Sequence, residues 1–568
     1  MALPDWVFEN FLFRPVPGRW LAAGPWRQFV TGFCIVLPLL ASGLLLLEQR
    51  ARRLQRAVSP RLVRTLCWAL SGLAFLAYFD FFNPNTRYEP YYHRHELYHY
   101  YLGSKYFDEL GYRRLYTCTA IAEVELGRGQ EIKSKPLRDL SASNLLQRTE
   151  DTHVFTDPQQ CKRHFTPERW QAFRNDVRWF ESVSRGSYWD HMRIDHGYNP
   201  PPVWTMTGQL LSSWQPAGDH FFKALAAIDV SLQLGALLLI GWAFGVRVMA
   251  LAAVFWGCNG AASFYWMGGA FLRQDWYFLF VAALCLARKR CFATAGAALA
   301  WSALLRVFPV VLFAGPGLIL LFDWWQKRRL QADYLRFVLG AGLAGVLLVG
   351  ASGVVCGFQA YPEFVRHIAV HKQTPLTNNM GLEMLLTHDY GDRMFFRVDE
   401  RLDDPVRPWK EAYSAHARAR RPLQLAVSAL VLGWLAWALR RTRLLWVGMA
   451  LSVPLLPCLL SLTCYYYSFF VAPALLVLLC PALGPAYLAL ASASQVLLRA
   501  FYWIDDKYAA QSLLFFVFSL CLPYALSRPL PLARWRALFR AAVWGAAVSG
   551  ATLPTADHAA ERHQDPLP

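Results

Sequence analysis

The sequence predicts an all-α polytopic membrane protein with about thirteen transmembrane helices and two large exported loops, and three observations carry that prediction. Hydrophobic residues make up 55% of the 568 positions and charged residues only 17%. The apolar positions gather in runs near the length of about 20 residues that a bilayer crossing needs, several of them shorter. Arginine and lysine concentrate in the short connectors between those runs. A net charge of +18 would suggest a nucleic-acid partner in a soluble chain. Gathered in such connectors it reads as the positive-inside bias, and no nucleic acid is expected.

The runs lie at 27–47, 62–82, 223–245, 248–266, 276–287, 291–306, 308–322, 335–356, 422–439, 444–462, 466–481, 485–500 and 511–527. The stretch ahead of them, "MALPDWVFENFLFRPVPGRW", lacks a basic region leading into an apolar core and a small-residue cleavage site. The first run is therefore expected to stay as an anchor. Orientation follows from "EQRARRLQRAVSPRLVR" (48–64), "ARKR" (287–290), "QKRR" (326–329), "RRTR" (440–443) and the arginines after residue 527. Counting runs between these connectors puts them all on one face, which is then cytoplasmic. The opposite face receives 83–222, 267–275, 357–421, 463–465 and 501–510, and the two long segments are the exported loops expected to carry function.

Six sections result. Residues 1–61 hold an extra span and a basic connector, and 62–222 the first core span with the large exported loop. Residues 223–356 form a bundle with short spans, 357–421 the second exported loop, 422–527 a C-terminal bundle and 528–568 a cytoplasmic tail, polar and disordered after about residue 552. Within the large loop, "TPERWQAFRNDVRWFESV" (166–183) predicts a helix. Thr166 can cap it, Pro167 suits its first turn, and Trp170, Phe173, Val177 and Phe180 recur at helical spacing. Most of the 12 cysteines lie in apolar runs, where they act as small hydrophobes. Cys118 and Cys161 share the large loop, where they could pair or stay free.

Candidate chemistry begins at "YYHRHELYHYYLGSKYFDELGY" (91–112). Its "HELYH" has zinc-protease spacing, with His95 and His99 one helical turn apart and Glu96 placed to polarise water. Glu109, Glu123 and Glu125 compete as a third ligand. The same stretch also reads as the wall of a polar cavity at the membrane surface. Asp80, in "YFDFFNPN", ends the second run, and Glu89, His93, Glu96 and His99 follow, with Lys105 beyond them. "YWDHMRIDHGYNPPPVW" (188–204) adds Asp195, His196 and Asn199, and "GGAFLRQDW" (268–276) adds Arg273 and Asp275. "LLRVFP" places Arg306 where a guanidinium can grip a phosphate. "HKQTPLTNNMGLE" (371–383) contributes His371, Lys372 and Asn379. For any single residue the competing reading is an ion pair or an interfacial side chain.

With these pieces in place the chain resembles the GT-C superfamily of polyprenyl-phosphate-sugar-dependent glycosyltransferases over most of residues 62–525. "FLRQDWYFLF", "ARKRCFATAGAALAWSALLRVFPVVLF" and "NNMGLEMLL" look most like the bacterial family 87 mannosyltransferase-type enzymes. The chain departs from the pattern by an extra N-terminal span and by lacking the acidic pair of the first loop. Asp80, Glu89 and Glu96 therefore share the candidacy for base. The resemblance implies an inverting sugar transfer from a polyprenyl-phosphate donor to a glycan, lipid or protein acceptor, on the exported face of the bacterial inner membrane. His93, His95, His99, Lys105, Asp195, His196, Asn199, Arg273, Asp275, Arg306, His371, Lys372 and Asn379 would bind substrate. No dedicated metal ligand is assigned, although some members of the superfamily use a divalent cation. A transporter or lipid flippase, an HExxH zinc peptidase and a non-catalytic assembly factor are the rival readings.

Overall fold

The computed structural model describes residues 20–56, 58–83, 91–141, 144–184 and 186–527. Glu89, the first 19 residues and the tail from residue 528 lie outside the described residues. The chain is 74% helical with little sheet. Among the described residues six helices are long and apolar enough to cross a membrane: Trp26–Arg53, Asp219–Phe244, Phe308–Lys327, Ala332–Cys356, Arg407–Leu439 and Ile504–Leu526. Shorter apolar helices, among them Val246–Cys258, Phe292–Leu305, Leu445–Leu459 and Cys464–Leu476, fill the space between. Several predicted runs are thus real helices too short to span alone, because Gly, Pro and Asn interrupt them. Pro309 opens a 3₁₀ turn at Phe308–Phe313, and Asn259 stops Val246–Cys258.

The predicted border between the second exported loop and its following span, at 421/422, does not exist as a break. Residues Arg407–Leu439 form one 33-residue helix with Pro422 inside it. Its first part, "RPWKEAYSAHARARR", is a polar helix that runs on into the apolar one. The helices pack closely where side chains vanish. A Cβ on Gly296 would strike the Phe337 carbonyl, and one on Gly340 the Ala293 carbonyl, so Phe292–Leu305 lies backbone-close to Ala332–Cys356.

One end of the bundle collects the basic connectors. Arg247 pairs with Glu48 at 2.5 Å, Arg290 with Asp333 at 3.2 Å and Arg443 with Asp323 at 3.4 Å. Lys289 sits over the Trp242 ring and Arg288 over Trp446. The other end carries the two long loops, and the second of them pairs there with the short 462–463 segment in an antiparallel pair in which Asn379 faces Thr463.

The large loop has a core of its own. Helix Pro167–Val183 begins as the sequence predicts: Thr166 Oγ1 accepts from the Arg169 amide, and Trp170, Phe173, Val177 and Phe180 are buried. Cys118 and Cys161 form a disulfide. Arg193 and Glu123, both fully buried, pair at 3.0 Å, and Trp189 Nε1 donates to Glu123 at 2.7 Å.

Candidate functional site

The stretch from Arg94 is a helix that widens at Tyr98–Leu102 into a π turn and tightens again at Gly103–Lys105. Its start is held against the 268–275 loop, where the His93 amide donates to the Gly269 carbonyl at 2.7 Å. Gly269 has φ +74°, and a Cβ there would meet the backbone of Tyr91–His93, so only glycine permits this approach. Behind the loop, the Asp229 carboxylate accepts from the amides of Arg273 and Gln274 at 3.0–3.1 Å. Helix Asp219–Phe244 thereby fixes where Arg273 emerges.

Two buried arginines result. Arg273 is 3% exposed and Arg306 6%. Arg273 Nε pairs with Glu96 at 3.0 Å, its Nη1 donates to the Tyr100 hydroxyl, and its Nη2 reaches the Tyr465 hydroxyl at 3.4 Å. Tyr100 in turn donates to Asn199 Oδ1 at 3.0 Å. Arg306 lies 5.9 Å from the Tyr100 ring centre and 5.5 Å from that of Trp204. Its two terminal nitrogens donate to the Leu305 and Leu272 carbonyls at 2.9 and 3.3 Å. Its Nε has no hydrogen-bond partner among the described residues. No carboxylate lies within ion-pair distance of Arg306 among those residues, and Asp275 balances it only at longer range. Among the described residues Glu96 is therefore the one carboxylate at ion-pair distance from the two guanidiniums around Tyr100, with Asp275 a more distant counter-charge, in a desolvated place.

A second group adjoins it through His95. The His95 and His99 rings lie 4.6 Å apart, and His95 Nε2 is 3.8 Å from Asp195 Oδ2. Asp195 keeps 44% of its side chain accessible although protein surrounds it, so it lines a recess. Burial opposes its ionisation, but the imidazoles of His95 and His99 and the Arg138 guanidinium outweigh burial and hold the carboxyl well below the usual range. His196 stacks edge-on with His371 at 5.1 Å. Burial, helped by Arg138, pushes the His196 imidazole well below its usual range, which leaves it neutral. Asn144 joins the two long loops here, bonding Thr374 Oγ1 at 2.8 Å.

Asp80 stands at the exit of helix Pro60–Tyr78. Asp80, Phe81 and Phe82 all take positive φ, near 50–55°, a run of left-handed non-glycine residues that costs about 1–3 kcal/mol each. Burial lifts the Asp80 carboxyl to about 6, against the pull of Arg27. Its backbone carbonyl accepts from Trp26 Nε1 at 3.1 Å.

The structure thus gathers Glu96, Asn199, Arg273 and Arg306, with Asp275 nearby, and beside them His95, His99, Asp195, His196 and His371. It does not bring Lys105 to them. Lys105 is buried against Asp176 at 2.8 Å and the Tyr101 hydroxyl at 2.7 Å, as part of the loop's own core. Lys372 is exposed, and Asn379 is held by its strand pairing with Thr463. The three glutamates considered as a third zinc ligand are bound elsewhere: Glu109 to Arg169, Glu123 to Arg193 and Glu125 to Lys162. Tyr100, Trp204, Tyr465 and Asp229 were not singled out by sequence. The triple tyrosine at 465–467 and a lone carboxylate inside an apolar run were the available signals.

Compared with protein-family models, curated proteins and solved structures, the chain matches none.

Proposed function

We propose that the chain is a membrane glycosyltransferase of the GT-C kind, moving a sugar from a polyprenyl-phosphate donor to an acceptor hydroxyl on the exported face. One observation carries the reading: Arg273 and Arg306 are buried together around Tyr100, and among the described residues Glu96 is the one carboxylate at ion-pair distance from them. An anionic ligand resolves that imbalance, and a lipid phosphate arriving from the bilayer has the right charge.

Each residue then has a task. Arg306, with its free Nε, and Arg273 hold the departing phosphate as the glycosidic C–O bond breaks. Glu96 keeps Arg273 oriented, and Asn199 does the same for Tyr100. Asp80, held at the exit of helix Pro60–Tyr78 with its carboxyl lifted to about 6 by burial, is the base candidate that the transfer test examines. Transfer inverts the anomeric carbon. The apolar helices provide the groove for the lipid chain.

The rival readings fare less well. In the peptidase reading Glu96 would serve the zinc-bound water, yet its carboxylate is spent on Arg273. In the transporter reading Asp229 would be the mid-membrane carboxylate, yet it is spent on backbone amides. The test is sugar transfer from a radiolabelled polyprenyl-phosphate sugar by purified protein. Wild type is expected to transfer, and Asp80→Asn and Arg306→Ala to lose about a hundredfold or more. Failure of the wild type with every such donor ends the reading. Full activity in Asp80→Asn removes only the base assignment.

A further inference from the structure

We propose that His95, His99 and Asp195 form a binding site for a divalent first-row transition metal, with zinc the best match to their donors. Each side chain offers one ligand atom, and the three atoms lie within 4.8 Å of one another. Two ligand atoms on one tetrahedral zinc sit about 3.3 Å apart, given bonds of about 2.0 Å. The 3.8 Å between His95 Nε2 and Asp195 Oδ2 therefore closes with a small rotation of either side chain. Two imidazole nitrogens and one carboxylate oxygen suit zinc and its neighbours in the first row, whereas magnesium and calcium select all-oxygen sites.

The surroundings of His99 supply a second, independent observation. Its Nδ1 lies 2.7 Å from the His95 carbonyl oxygen, which only accepts, so the proton sits on Nδ1 and the lone pair on Nε2. This is the outer hydrogen bond that fixes the tautomer of metal-binding histidines. Nε2 in turn lies 3.0 Å from the Met192 carbonyl oxygen, a second pure acceptor. The Tyr116 hydroxyl, 2.7 Å from the same nitrogen, accepts from the Gly197 amide and donates its own proton to Nε2, and that hydrogen bond is what a metal would displace. Both oxygens crowd the lone-pair side of Nε2, so a metal at this nitrogen takes the place of its present contacts.

Access and charge agree with a cation. Asp195 opens to the recess, and the buried Glu123–Arg193 pair and the Cys118–Cys161 disulfide stiffen the loop that carries both partners. Glu96, although it stands between the two histidines in sequence, faces Arg273 instead. The metal would therefore lie beside the arginine pair without sharing its carboxylate. Nothing in this inference requires the transferase reading.

The experiment uses the purified full-length chain in detergent, stripped with a chelator, equilibrated with zinc and desalted before metal counting. One zinc per chain is expected for wild type and for Glu96→Gln. His95→Ala and Asp195→Asn should each weaken binding about a hundredfold or more, in protein that still elutes as a single species. Cobalt added to stripped wild type should give visible absorption bands that zinc abolishes, a readout needing no variant. A wild type that holds no zinc and gives no cobalt bands overturns the site. Equal zinc in wild type, His95→Ala and Asp195→Asn also overturns it. Sugar transfer intact without zinc binding refutes this site alone; zinc bound without transfer refutes the transferase reading alone.

Discussion

At Arg306 the fold accepts a guanidinium that is 6% exposed and hydrogen-bonds only backbone carbonyls among the described residues. Removing it frees two backbone carbonyls and a distant Asp275 but strands no carboxylate at ion-pair distance, so Arg306→Met is expected to melt only slightly below wild type while losing transfer. Arg273→Met differs. It strands the Glu96 carboxylate, and the cost is about 3–5 kcal/mol, visible as a clear drop in melting temperature. If both variants melt alike, the two arginines do not hold the different positions described above. Asp80 adds a pH signature. Its carboxyl is lifted to about 6, so the base is protonated below that value and transfer should fall as pH drops through about 6. Stability runs the other way: the unfolded carboxyl ionises first, near about 4, so the Asp80 contribution is lost as pH rises from there to about 6. Transfer that stays flat across this window contradicts the assignment.

At the scale of elements, local signals were legible and distant pairings were not. Helix Pro167–Val183 could be read because its cap, its first-turn proline and its buried face all lie within one short stretch. Counting spans put "HELYH" on the same side as the 267–275 loop that carries Arg273. It did not reveal the partner of Glu96, since Arg273 lies in another loop and nothing local couples them. Lys105 illustrates the opposite error. It lies nine residues after Glu96, and at about 100° per residue that is the far side of the helix, where Asp176 waits. The same limit applies to Cys118 and Cys161, 43 residues apart, whose pairing only the folded loop decides. Closing a loop of that length is worth about 4 kcal/mol. Cys118→Ala/Cys161→Ala, or reduction of the wild type, should lower the melting temperature and expose helix Pro167–Val183 to protease. Unchanged melting would mean that the loop core alone sets the stability. Between helices, Gly296→Leu should cost about 1–3 kcal/mol by forcing Phe292–Leu305 away from Ala332–Cys356, a change that thermal unfolding reads directly.

For the whole molecule, the basic connectors converge at one end and the candidate site at the other, and this polarity was readable from arginine placement alone. The span count was less readable. Helices such as Phe292–Leu305 are too short to cross a bilayer by themselves, and hydropathy cannot separate a short crossing from a buried half-helix. The polarity itself leads to a strong test. If the connectors are cytoplasmic, the disulfide-bearing loop faces an oxidising compartment, as its Cys118–Cys161 bond requires, and a lipid-linked sugar reaches Arg273 and Arg306 from the outer leaflet. Cys291 and Cys521, the exposed native thiols, are first replaced by serine. A cysteine is then placed at Glu168, exposed on helix Pro167–Val183, or at Arg441, exposed in the connector after Leu439. In intact cells a membrane-impermeant maleimide should label the Glu168→Cys protein and spare Arg441→Cys, and permeabilisation should bring both to the same level. The reverse pattern would put the site in a reducing compartment, break the disulfide assignment and remove the exported donor from the proposed reaction.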